Sequence, residues 1–496
     1  MVPRFRAQLV LFASGVSLRY FVHTFGCQMN MHDSDRMGEV LSAHGWLPTD
    51  RPEHADLVVF NTCSVREKAE HKLHSELGKL APFKAQNPEM VIAVAGCVAQ
   101  QEGEALLKRS ELLDLVIGPD NIAELPRLVL EQRSGALPLS FTVFDDDAPR
   151  FLAAKPKAGE APISAFVTTM KGCDERCSFC VVPYTRGSER YRPTREIVAE
   201  AQRWVAAGSK EIVLLGQTVD SFQDPALPPP ASDDPDESQF PHLLRAIVAQ
   251  VPGLKRLRYT SPHPRHLTPS LIAAHAELEI LAAHVHMPVQ SGSNRVLKRM
   301  IRRYTREEYL SRIAQLKAAR PGLTLATDVI VGFCGETDED FEDTLSLVRE
   351  ANVTSIFAFK YSVRPLTPAR KLKDDVPEEV KSERLSRLLA LADKLQAAHL
   401  QTLVGTTATV ILEGLSKTDS KMVTGRTERN EIVHLPAPEG DVYGELATIK
   451  IVAAHKRSLR GEWIGEAPRG TGRPAKAYLR TGRSLPVVAT TAGEQP

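Results

Sequence analysis

The sequence predicts an α/β protein in three parts: an N-terminal domain built on a parallel sheet, a central partial (β/α)6 barrel, and a small C-terminal antiparallel β-barrel of OB-like character. In two successive regions, short apolar runs alternate with helix-like segments, which is typical of parallel sheets covered by helices. From residue 406 the pattern changes to short alternating strands with glycine-rich turns, which indicates a small closed barrel.

The N-terminal region contains four apolar runs, each followed by a helix-like segment, at 19–24, 57–61, 91–95 and 115–117. Cys27, Cys63 and Cys97 follow the first three runs, at intervals of 36 and 34 residues. Because the carboxyl ends of parallel strands share one sheet edge, we expect these thiols to meet and to hold an iron–sulfur cluster. The alternative is three unrelated buried cysteines, since free cysteine is a common core residue.

The central region contains six apolar runs separated by helical segments, at 165–170, 211–215, 256–260, 283–287, 323–331 and 355–360. Cys173, Cys177 and Cys180 follow the first run in C-x3-C-x2-C spacing, at the strand end where active sites of such barrels lie. Three thiolates in one turn can bind a [4Fe–4S] cluster and leave its fourth iron open. The alternatives are loop thiols without a cluster, or a zinc site completed by a distant histidine.

Several separate motifs resemble one enzyme family. The cysteine loop, with Phe179 before its last cysteine, resembles the radical S-adenosylmethionine (SAM) superfamily. The segments FGCQMN (25–30), NTCSVRE (61–67), GCVAQ (96–100) and KGCD (171–174) resemble, in this order, the methylthiotransferases of that superfamily. They are most similar to the branch that modifies isopentenylated adenosine in tRNA, and the resemblance covers about residues 19–467.

The resemblance implies a tRNA methylthiotransferase with two [4Fe–4S] clusters and SAM as cofactors. The six strand-end cysteines would be its metal ligands and catalytic residues. One-electron reduction at the loop cluster would cleave SAM to a 5′-deoxyadenosyl radical, which abstracts hydrogen. The target would be C2 of N6-isopentenyladenosine at position 37 of tRNA, next to the anticodon. The N-terminal cluster would then deliver a methylated sulfur to that carbon.

Five residues at the ends of other central strands are candidate SAM contacts: Gly216, Gln217, Ser261, Gln290 and Gly332. Their segments look like family motifs that line the cavity, but each could also be a tight turn that needs glycine or proline. Thr218 stands where methylthiotransferases usually have asparagine, which weakens a specific role for its side chain. Cys334 is expected to be a packed thiol and not a ligand.

The C-terminal barrel is predicted from period-two runs at 407–412, 431–435, 445–450 and 451–454, after a helix at 378–403. It resembles the TRAM module, which binds RNA. Its candidate RNA-binding residues, which we place in turns, are Lys417, Lys421, Arg426, Arg429, Lys456 and Arg457. Surface cations alone usually serve solvation, so the resemblance carries this hypothesis.

Composition limits the alternatives. The formal net charge of +1 gives no global field for nucleic acid, so RNA contacts must be local. Seven cysteines, six of them in two sets of three, indicate metal ligation in a reducing compartment, which favours the cytoplasm. The apolar stretch 9–16 only weakly imitates a signal peptide, and no apolar run is long enough to span a membrane.

These observations predict a domain order: extension 1–18, N-terminal domain 19–137, linker 138–162, radical SAM core 163–397, TRAM domain 398–467 and disordered tail 468–496. Residues 220–239 are predicted to be a solvated loop insertion. We expect a monomer that acts on tRNA carrying N6-isopentenyladenosine and takes electrons from a donor such as flavodoxin or ferredoxin, without a membrane.

Other functions stay open at this point. The same chemistry could act on threonylcarbamoyladenosine in tRNA or on an aspartate of a ribosomal protein. A function of another class is a non-catalytic RNA-binding iron–sulfur sensor, against which the strand-end motifs of the central region argue. A zinc-containing RNA-binding protein is the weakest alternative.

Overall fold

The computed structural model describes residues 17–64, 67–146, 149–159, 161–416, 419–440 and 442–468. The chain divides into two compact units, Met1–Val143 and Phe144–Pro496. The predicted extension and the predicted tail lie outside the described residues, apart from residues 17, 18 and 468. Among the helices in these ranges, none is both long enough and apolar enough to cross a membrane.

The first unit is a parallel sheet with helices, as the sequence predicts. Its strands, which stand in the sheet order β2-β1-β3-β4-β5-β6, are β1 (Arg19–Phe25), β2 (Leu47–Pro48), β3 (Leu57–Thr62), β4 (Val91–Gly96), β5 (Leu115–Ile117) and β6 (Leu139–Phe141). Its helices are α1 (Gln28–Ala43), α2 (Glu67–Gly78), α3 (Ala81–Gln86), α4 (Cys97–Glu102), α5 (Glu104–Arg109) and α6 (Leu125–Arg133). Every paired neighbour in the sheet is parallel. Strands β3 and β4 are buried along their whole length, which explains their almost continuous apolar runs.

Two helices of the first unit begin earlier than the sequence pattern indicates. Helix-like patterns in the sequence predict helices from residues 34 and 100, whereas α1 starts at Gln28 and α4 at Cys97. The first turns of α1 contain buried polar residues, Asn30 and Asp33 among them, so the apolar period appears only later in the helix. Each of the two helices therefore begins at, or directly after, a candidate cysteine ligand.

The second unit begins with the central barrel. Its long strands are β7 (Ser164–Thr168), β10 (Glu211–Leu215), β11 (Arg256–Tyr259), β12 (His284–His286), β13 (Thr324–Val331) and β14 (Ser355–Lys360), and β8 (Met170–Lys171) pairs with β9 (Arg190–Tyr191). Its helices are α7 (Val182–Arg186), α8 (Thr194–Ala207), α9 (Phe240–Gln250), α10 (Pro269–Glu277), α11 (Asn294–Arg299), α12 (Arg306–Ala319), α13 (Asp338–Glu350) and α14 (Glu378–Thr402).

The six long strands form two parallel sheets of three, in the orders β7-β10-β11 and β12-β13-β14. A parallel bridge between Leu257 and Leu281 connects the two sheets. One large apolar cluster, which includes Trp204, Phe222 and Tyr309, packs helices against both of them. This arrangement confirms the predicted partial (β/α)6 barrel.

The C-terminal strands close a five-stranded barrel in the order β15-β16-β17-β19-β18, with β15 (Thr407–Leu415), β16 (Met422–Thr427), β17 (Ile432–Pro436), β18 (Leu446–Ala454) and β19 (Leu459–Trp463). All neighbouring pairs are antiparallel except β17 and β19, which are parallel. The two runs predicted at 445–454 form the single strand β18. Strands β16 and β19 escape a pattern search because they contain Gly425, Arg460 and Gly461 in place of a clear apolar alternation.

The small barrel packs against the amino ends of the central strands. Arg256, the first residue of β11, donates from Nη1 to the carbonyl of Arg426 at 3.1 Å. Thr324, the first residue of β13, donates from Oγ1 to the carbonyl of Arg429 at 2.9 Å. The cysteine loop of the central region lies at the opposite, carboxyl ends of the strands.

The prediction of a solvated loop at 220–239 is wrong for several of its residues. Asp220, Asp224 and Gln239 are buried, and Asp236 accepts hydrogen bonds from the Arg265 side chain. The carboxylate of Asp224 accepts the amide N–H of Thr194 at 2.9 Å, which caps the start of α8. Acidic and proline-rich composition alone did not show that tertiary partners cover these side chains.

Candidate functional site

The three N-terminal cysteines stand at the ends of three adjacent parallel strands. Cys27 is the N-cap of α1 after β1, Cys63 follows β3 directly, and Cys97 is the first residue of α4 after β4. The amide N–H of Cys63 donates to the carbonyl of Phe25 at 2.9 Å, which ties two of the cysteine turns together. The structure therefore brings these cysteines to one edge of the sheet, as the spacing predicts.

Two buried asparagines support these turns. Asn30 donates from Nδ2 to the Asn61 side chain at 3.0 Å and to the carbonyl of Thr62 at 3.2 Å, while Asn61 donates back to the carbonyl of Asn30 at 2.8 Å. Oδ1 of Asn30 also accepts the amide N–H and the thiol of Cys27, each at 3.4 Å. Both asparagines stand inside the motifs FGCQMN and NTCSVRE, but no local pattern in the sequence predicts that they bond to each other.

Gly96 lets the third turn approach the asparagine pair. Its φ of 89° lies in the left-handed region, and a Cβ there would stand 2.3 Å from Oδ1 of Asn61 and 2.5 Å from the carbonyl of Thr62. Cys97 follows at once, so the position of this ligand depends on a residue without a side chain.

The central cysteine loop is held by backbone contacts at both ends. Gly172 has a φ of 76°, and a Cβ there would stand 1.9 Å from the carbonyl oxygen of Ser188. Cys173 donates its N–H to the carbonyl of Gly187 at 3.2 Å. Further along the loop, Ser178 donates its N–H to the carbonyl of Met300 at 2.9 Å. The loop is thus fixed by the β8–β9 hairpin and by the residues after α11.

The cysteine sulfurs of this loop have polar neighbours. Sγ of Cys173 lies 3.0 Å from Oγ1 of Thr218, and Sγ of Cys177 accepts a hydrogen bond from Nη1 of Arg302 at 3.2 Å. Burial raises the pKa of the Cys173 thiol. Thr218 therefore contacts a candidate ligand, whereas its departure from the usual asparagine had argued against a specific role. The contact of Arg302 was not predicted.

A charged cluster surrounds the residue between the first two loop cysteines. Glu175 is buried, and its carboxylate accepts a hydrogen bond from Nε2 of His266 at 3.1 Å, with Arg265 at 3.8 Å. Burial alone would lower the pKa of His266, but the bond to Glu175 and the charge of Asp220 raise it to about 9. Burial raises the pKa of the Asp220 carboxyl to about 7. These contacts connect the cysteine loop to the turn that follows β11.

A polar cavity of ≈ 200 Å³ lies beside this cluster. Asp174, Glu175, Glu189, Arg265 and His266 contribute to its lining. None of the five predicted SAM-contacting residues lines it. The cavity is therefore bounded by the outer residues of the cysteine loop and not by the predicted SAM motifs.

The predicted SAM-contacting residues stand at the carboxyl ends of the central strands, and three of them have positive φ: Ser261 at 61°, Gln290 at 72° and Gly332 at 69°. Both polar atoms of the Gln217 side-chain amide are buried and have no hydrogen-bond partner. A buried amide without partners costs free energy, so this side chain fits a site where a polar ligand completes its bonds. These observations fit the polar methionyl part of SAM.

Neighbouring side chains explain why two of the predicted SAM-contacting positions are glycine. A Cβ at Gly332 would stand 2.3 Å from Cγ of Lys381, and a Cβ at Gly216 would stand 2.8 Å from Cγ of Met170. Close approach of neighbouring side chains thus explains glycine at both positions. Cys334 is fully buried with Phe333 and Tyr361 in an apolar cluster, away from the cysteine loop in sequence.

Both sets of three thiols have the donor chemistry of an iron–sulfur cluster, which takes soft thiolate ligands. In the part of the chain that the structure describes, no three His, Cys, Asp or Glu side chains lie close enough together to hold one metal ion. Soft sulfur donors and an N–H···S bond to Cys177 match an iron–sulfur cluster.

The predicted RNA-binding residues divide into two groups. Arg426 pairs with Glu413 at 2.9 Å, and Lys456 and Arg457 pair with Asp393 of α14 at 3.1 and 3.3 Å. Arg429 lies 3.6 Å from Glu431, beside the contact with β13. Lys421 is exposed, and Lys417 lies outside the described residues. Arg426 stands in β16 and not in a turn, so that part of the placement is wrong.

Three families match successive parts of the chain. Residues 19–118 match the Uncharacterized protein family UPF0004, residues 167–348 match the Radical SAM superfamily, and residues 401–464 match the TRAM domain. The first range contains the three N-terminal cysteines and the third contains all strands of the C-terminal barrel. The second range contains the cysteine loop and the central region from within β7 to within α13, so that β14 lies beyond it.

Curated relatives match over nearly the whole chain. A tRNA-2-methylthio-N(6)-dimethylallyladenosine synthase of Sorangium cellulosum (strain So ce56) is 57% identical, over 96% of this chain and 100% of the relative. The protein of the same name from Bordetella petrii is 44% identical, over 90% of this chain and 92% of its own length. A solved structure, radical S-adenosylmethionine methyltransferase TsrM from Kitasatospora setae, is 15% identical, covers 71% of this chain and 77% of its own, and has a TM-score of 0.49.

Proposed function

The chain belongs to the tRNA-2-methylthio-N(6)-dimethylallyladenosine synthase family, and from that premise we propose how its residues carry out the reaction. It is a radical SAM tRNA methylthiotransferase. The proposed reaction replaces the hydrogen on C2 of N6-isopentenyladenosine, at position 37 beside the anticodon, by a methylthio group. The observation that carries the proposal is the loop with three cysteines at the carboxyl end of the first central strand.

Cys173, Cys177 and Cys180 are proposed to hold one [4Fe–4S] cluster, and Cys27, Cys63 and Cys97 a second. When bound, the clusters and SAM supply the one-electron chemistry that activates an unreactive C–H bond and the sulfur that replaces the hydrogen. The chain itself fixes the ligand positions. It does so through backbone bonds around the central loop and through the asparagine pair in the N-terminal unit.

Gln217 is proposed to bind the polar end of SAM. Its side-chain amide offers one acceptor and one donor group, both buried and without partners in the chain, which suits an ammonium and a carboxylate. Ser261 and Gln290 would line the rest of the cofactor site, because their left-handed backbone conformations stand at the strand ends. Gly216 and Gly332 would keep these turns close to their neighbours.

RNA contact is proposed for the C-terminal domain, with the exposed Lys421 as one contact and Lys417 as another that is predicted from the sequence alone. The bases of an anticodon loop can be splayed into a cavity at little cost, because they are not in a continuous stacked helix. Arg426, Arg429, Lys456 and Arg457 would contribute positive potential, although their side chains also pair within the chain.

The remaining parts of the proposal are the oligomeric state, the cell compartment, the electron donor and the domain limits. We propose a monomer that works in the cytoplasm, where a reducing environment protects six ligand thiols, with flavodoxin or ferredoxin as electron donor. The domain limits 19–137, 163–397 and 398–467 stay a prediction. Strand β6 lies within the predicted linker 138–162 and pairs with β5.

The direct test uses anaerobically reconstituted enzyme with SAM, a sulfide source, a reductant and tRNA that carries N6-isopentenyladenosine. Mass spectrometry of the digested tRNA should show the 2-methylthio nucleoside. The same tRNA with unmodified adenosine at position 37 should give little product and serves as the substrate control. Product on threonylcarbamoyladenosine alone would contradict the proposed substrate, and no product on any tRNA would contradict the activity.

A further inference from the structure

A buried arginine contacts the central cysteine loop, and the proposed reaction gives it no role so far. The Arg302 side chain is 5% exposed and makes three hydrogen bonds. Nη1 donates to Sγ of Cys177 at 3.2 Å, Nε donates to the hydroxyl of Tyr304 at 2.9 Å, and Nη2 donates to the carbonyl of Pro288 at 2.9 Å. The guanidinium therefore connects a candidate ligand to the segment after β12 that contains Gln290.

The charge of this arginine has no carboxylate partner. Among the residues that the structure describes, no Asp or Glu oxygen lies within ion-pair distance of the Arg302 guanidinium. Burying a cation without an anion is unfavourable, and a neutral thiol, a phenol and a carbonyl offset the cost only in part. A cysteine thiolate bound to iron supplies the missing negative charge at the sulfur that Arg302 already contacts.

The backbone holds the guanidinium in this position. The N–H of Arg302 donates to the carbonyl of Leu297, which caps the C-terminal end of α11, and the Tyr304 hydroxyl donates to the carbonyl of Val289 at 2.8 Å. Because Tyr304 is itself buried and bonded, the arginine side chain is limited to one direction. The N–H···S bond is thus a fixed feature of the site and not one rotamer of a mobile surface residue.

We infer that Arg302 is a positioning residue that raises the reduction potential of the cluster on Cys173, Cys177 and Cys180. Reduction adds one electron, and so one negative charge, to a cluster that already has thiolate ligands. A fixed positive charge and an N–H···S bond stabilise the more negative, reduced form, which makes the cluster easier to reduce by the donor protein. This inference rests on the proposed function only in taking these cysteines as cluster ligands.

The test is redox potentiometry, followed by electron paramagnetic resonance, on the full-length chain. The background carries Cys27→Ala, Cys63→Ala and Cys97→Ala, so that only the central cluster gives a signal. In this background Arg302→Met removes charge and donor, Arg302→Gln removes charge but keeps a donor, and Arg302→Lys keeps the charge. We expect the midpoint potential to become more negative with Met and Gln, and to change least with Lys.

Arg303→Met is the matched control, because Arg303 is the next cation in the chain and is exposed, so that water screens its charge although it lines the cavity beside the cysteine loop. Its midpoint potential should change less than that of Arg302→Met. Potentials of the Met and Gln variants equal to that of the parent would overturn the inference. So would a loss of cluster in all three Arg302 variants with an unchanged potential in the residual signal, since that result indicates a purely structural role.

Failure of the proposed function gives a different result. If the parent with intact Arg302 binds no iron in this background, both the cysteine assignment and the inference about Arg302 are wrong. If Arg302→Met binds too little iron to titrate, the Gln and Lys variants decide: a potential that is more negative for Gln than for Lys supports the inference, and equal potentials contradict it.

Discussion

The two cysteine sets reach similar strand-end positions by different routes. In the N-terminal unit the three ligands come from three strands and are 36 and 34 residues apart, whereas in the central barrel they come from one loop of eight residues, 173–180. The first set depends on sheet register, a buried asparagine pair and Gly96. The second depends on local loop geometry and on side chains from distant segments that support it. A dispersed site should therefore be more sensitive to changes in its fold than a local one.

Removing each ligand set separately gives the largest expected effect. The Ala variant of Cys173, Cys177 and Cys180 and the Ala variant of Cys27, Cys63 and Cys97 should each lose all methylthiolation. Each should retain about half of roughly eight irons in the wild type, as one cubane cluster. Anaerobic iron and sulfide quantitation with Mössbauer spectra measures this. A wild type with one cubane only, lost in the central variant, would show that the N-terminal cysteines are structural.

Glycine substitutions have the second largest expected effect, because each should release only one of the two clusters. Gly96→Ala places a Cβ against Asn61 and the backbone of Thr62 at a φ of 89°, so it should cost more than about 2 kcal/mol and release the N-terminal cluster. Gly172→Ala places a Cβ 1.9 Å from a backbone oxygen, so it should release the central cluster. Iron content per cluster, resolved by Mössbauer spectroscopy, is the readout.

Gly45→Ala is the matched control for these two changes. It has a φ of 82°, but nothing lies within 4 Å of the added Cβ. It therefore carries the conformational cost alone and should keep both clusters. Loss of both clusters in every glycine variant would mean that the two sites do not respond independently.

Replacing one residue of the asparagine pair tests how far the N-terminal cysteine set depends on packing. Asn30→Ala removes the donor to Oδ1 of Asn61 and the acceptor of the Cys27 N–H, so it should reduce the free energy of unfolding by about 1–3 kcal/mol. It should weaken iron retention in the N-terminal set and leave the central set unchanged. Urea unfolding, together with the rate of iron release to a chelator, measures both effects. Equal rates of iron release from the two clusters would contradict the expectation that the N-terminal cluster depends more on Asn30 than the central cluster does.

The smallest expected effect is a pH dependence confined to the second unit. Burial raises the pKa of the Glu336 carboxyl to about 7, although Arg384 lies 2.8 Å away and opposes the shift. A carboxyl whose folded pKa is raised binds its proton more readily when folded, so its contribution to stability increases as pH falls from about 7 towards its unfolded value. Above pH 7 that contribution is lost.

Urea unfolding between pH 6 and pH 8, followed through Trp204 emission in a Trp46→Phe and Trp463→Phe background, measures this dependence. Glu336→Gln should remove the share that Glu336 contributes, since Gln cannot titrate, and leave the share of Asp220, whose pKa burial also raises to about 7. In a second background, with Trp204→Phe and Trp463→Phe, the N-terminal unit is followed through Trp46 and should show no change when Glu336 is replaced. A pH dependence in the Gln variant as large as in its parent would assign it to other groups.

The strand ends that carry the two cysteine sets could be predicted from the sequence, but the side chains that support these cysteines could not. Strand-end cysteines were visible because a thiol after an apolar run is a strong local pattern. Arg302 and Asn61 were not visible, because their roles depend on partners 125 and 31 residues away. The same reason explains Arg426 and Arg457, which look like free surface cations in the sequence but pair within the chain.

The sequence by itself determined the order of three domains, the cysteine spacing and the strand ends on which the cysteines stand, because these follow from local periodicity and turn chemistry. Only the tertiary structure decided which buried polar groups complete each site. The asparagine bonds beside Cys27 and the guanidinium bond to Cys177 depend on how distant segments pack. Packing joins residues whose separation along the chain carries no local signal, and for this reason the second kind of information appears only in the folded protein.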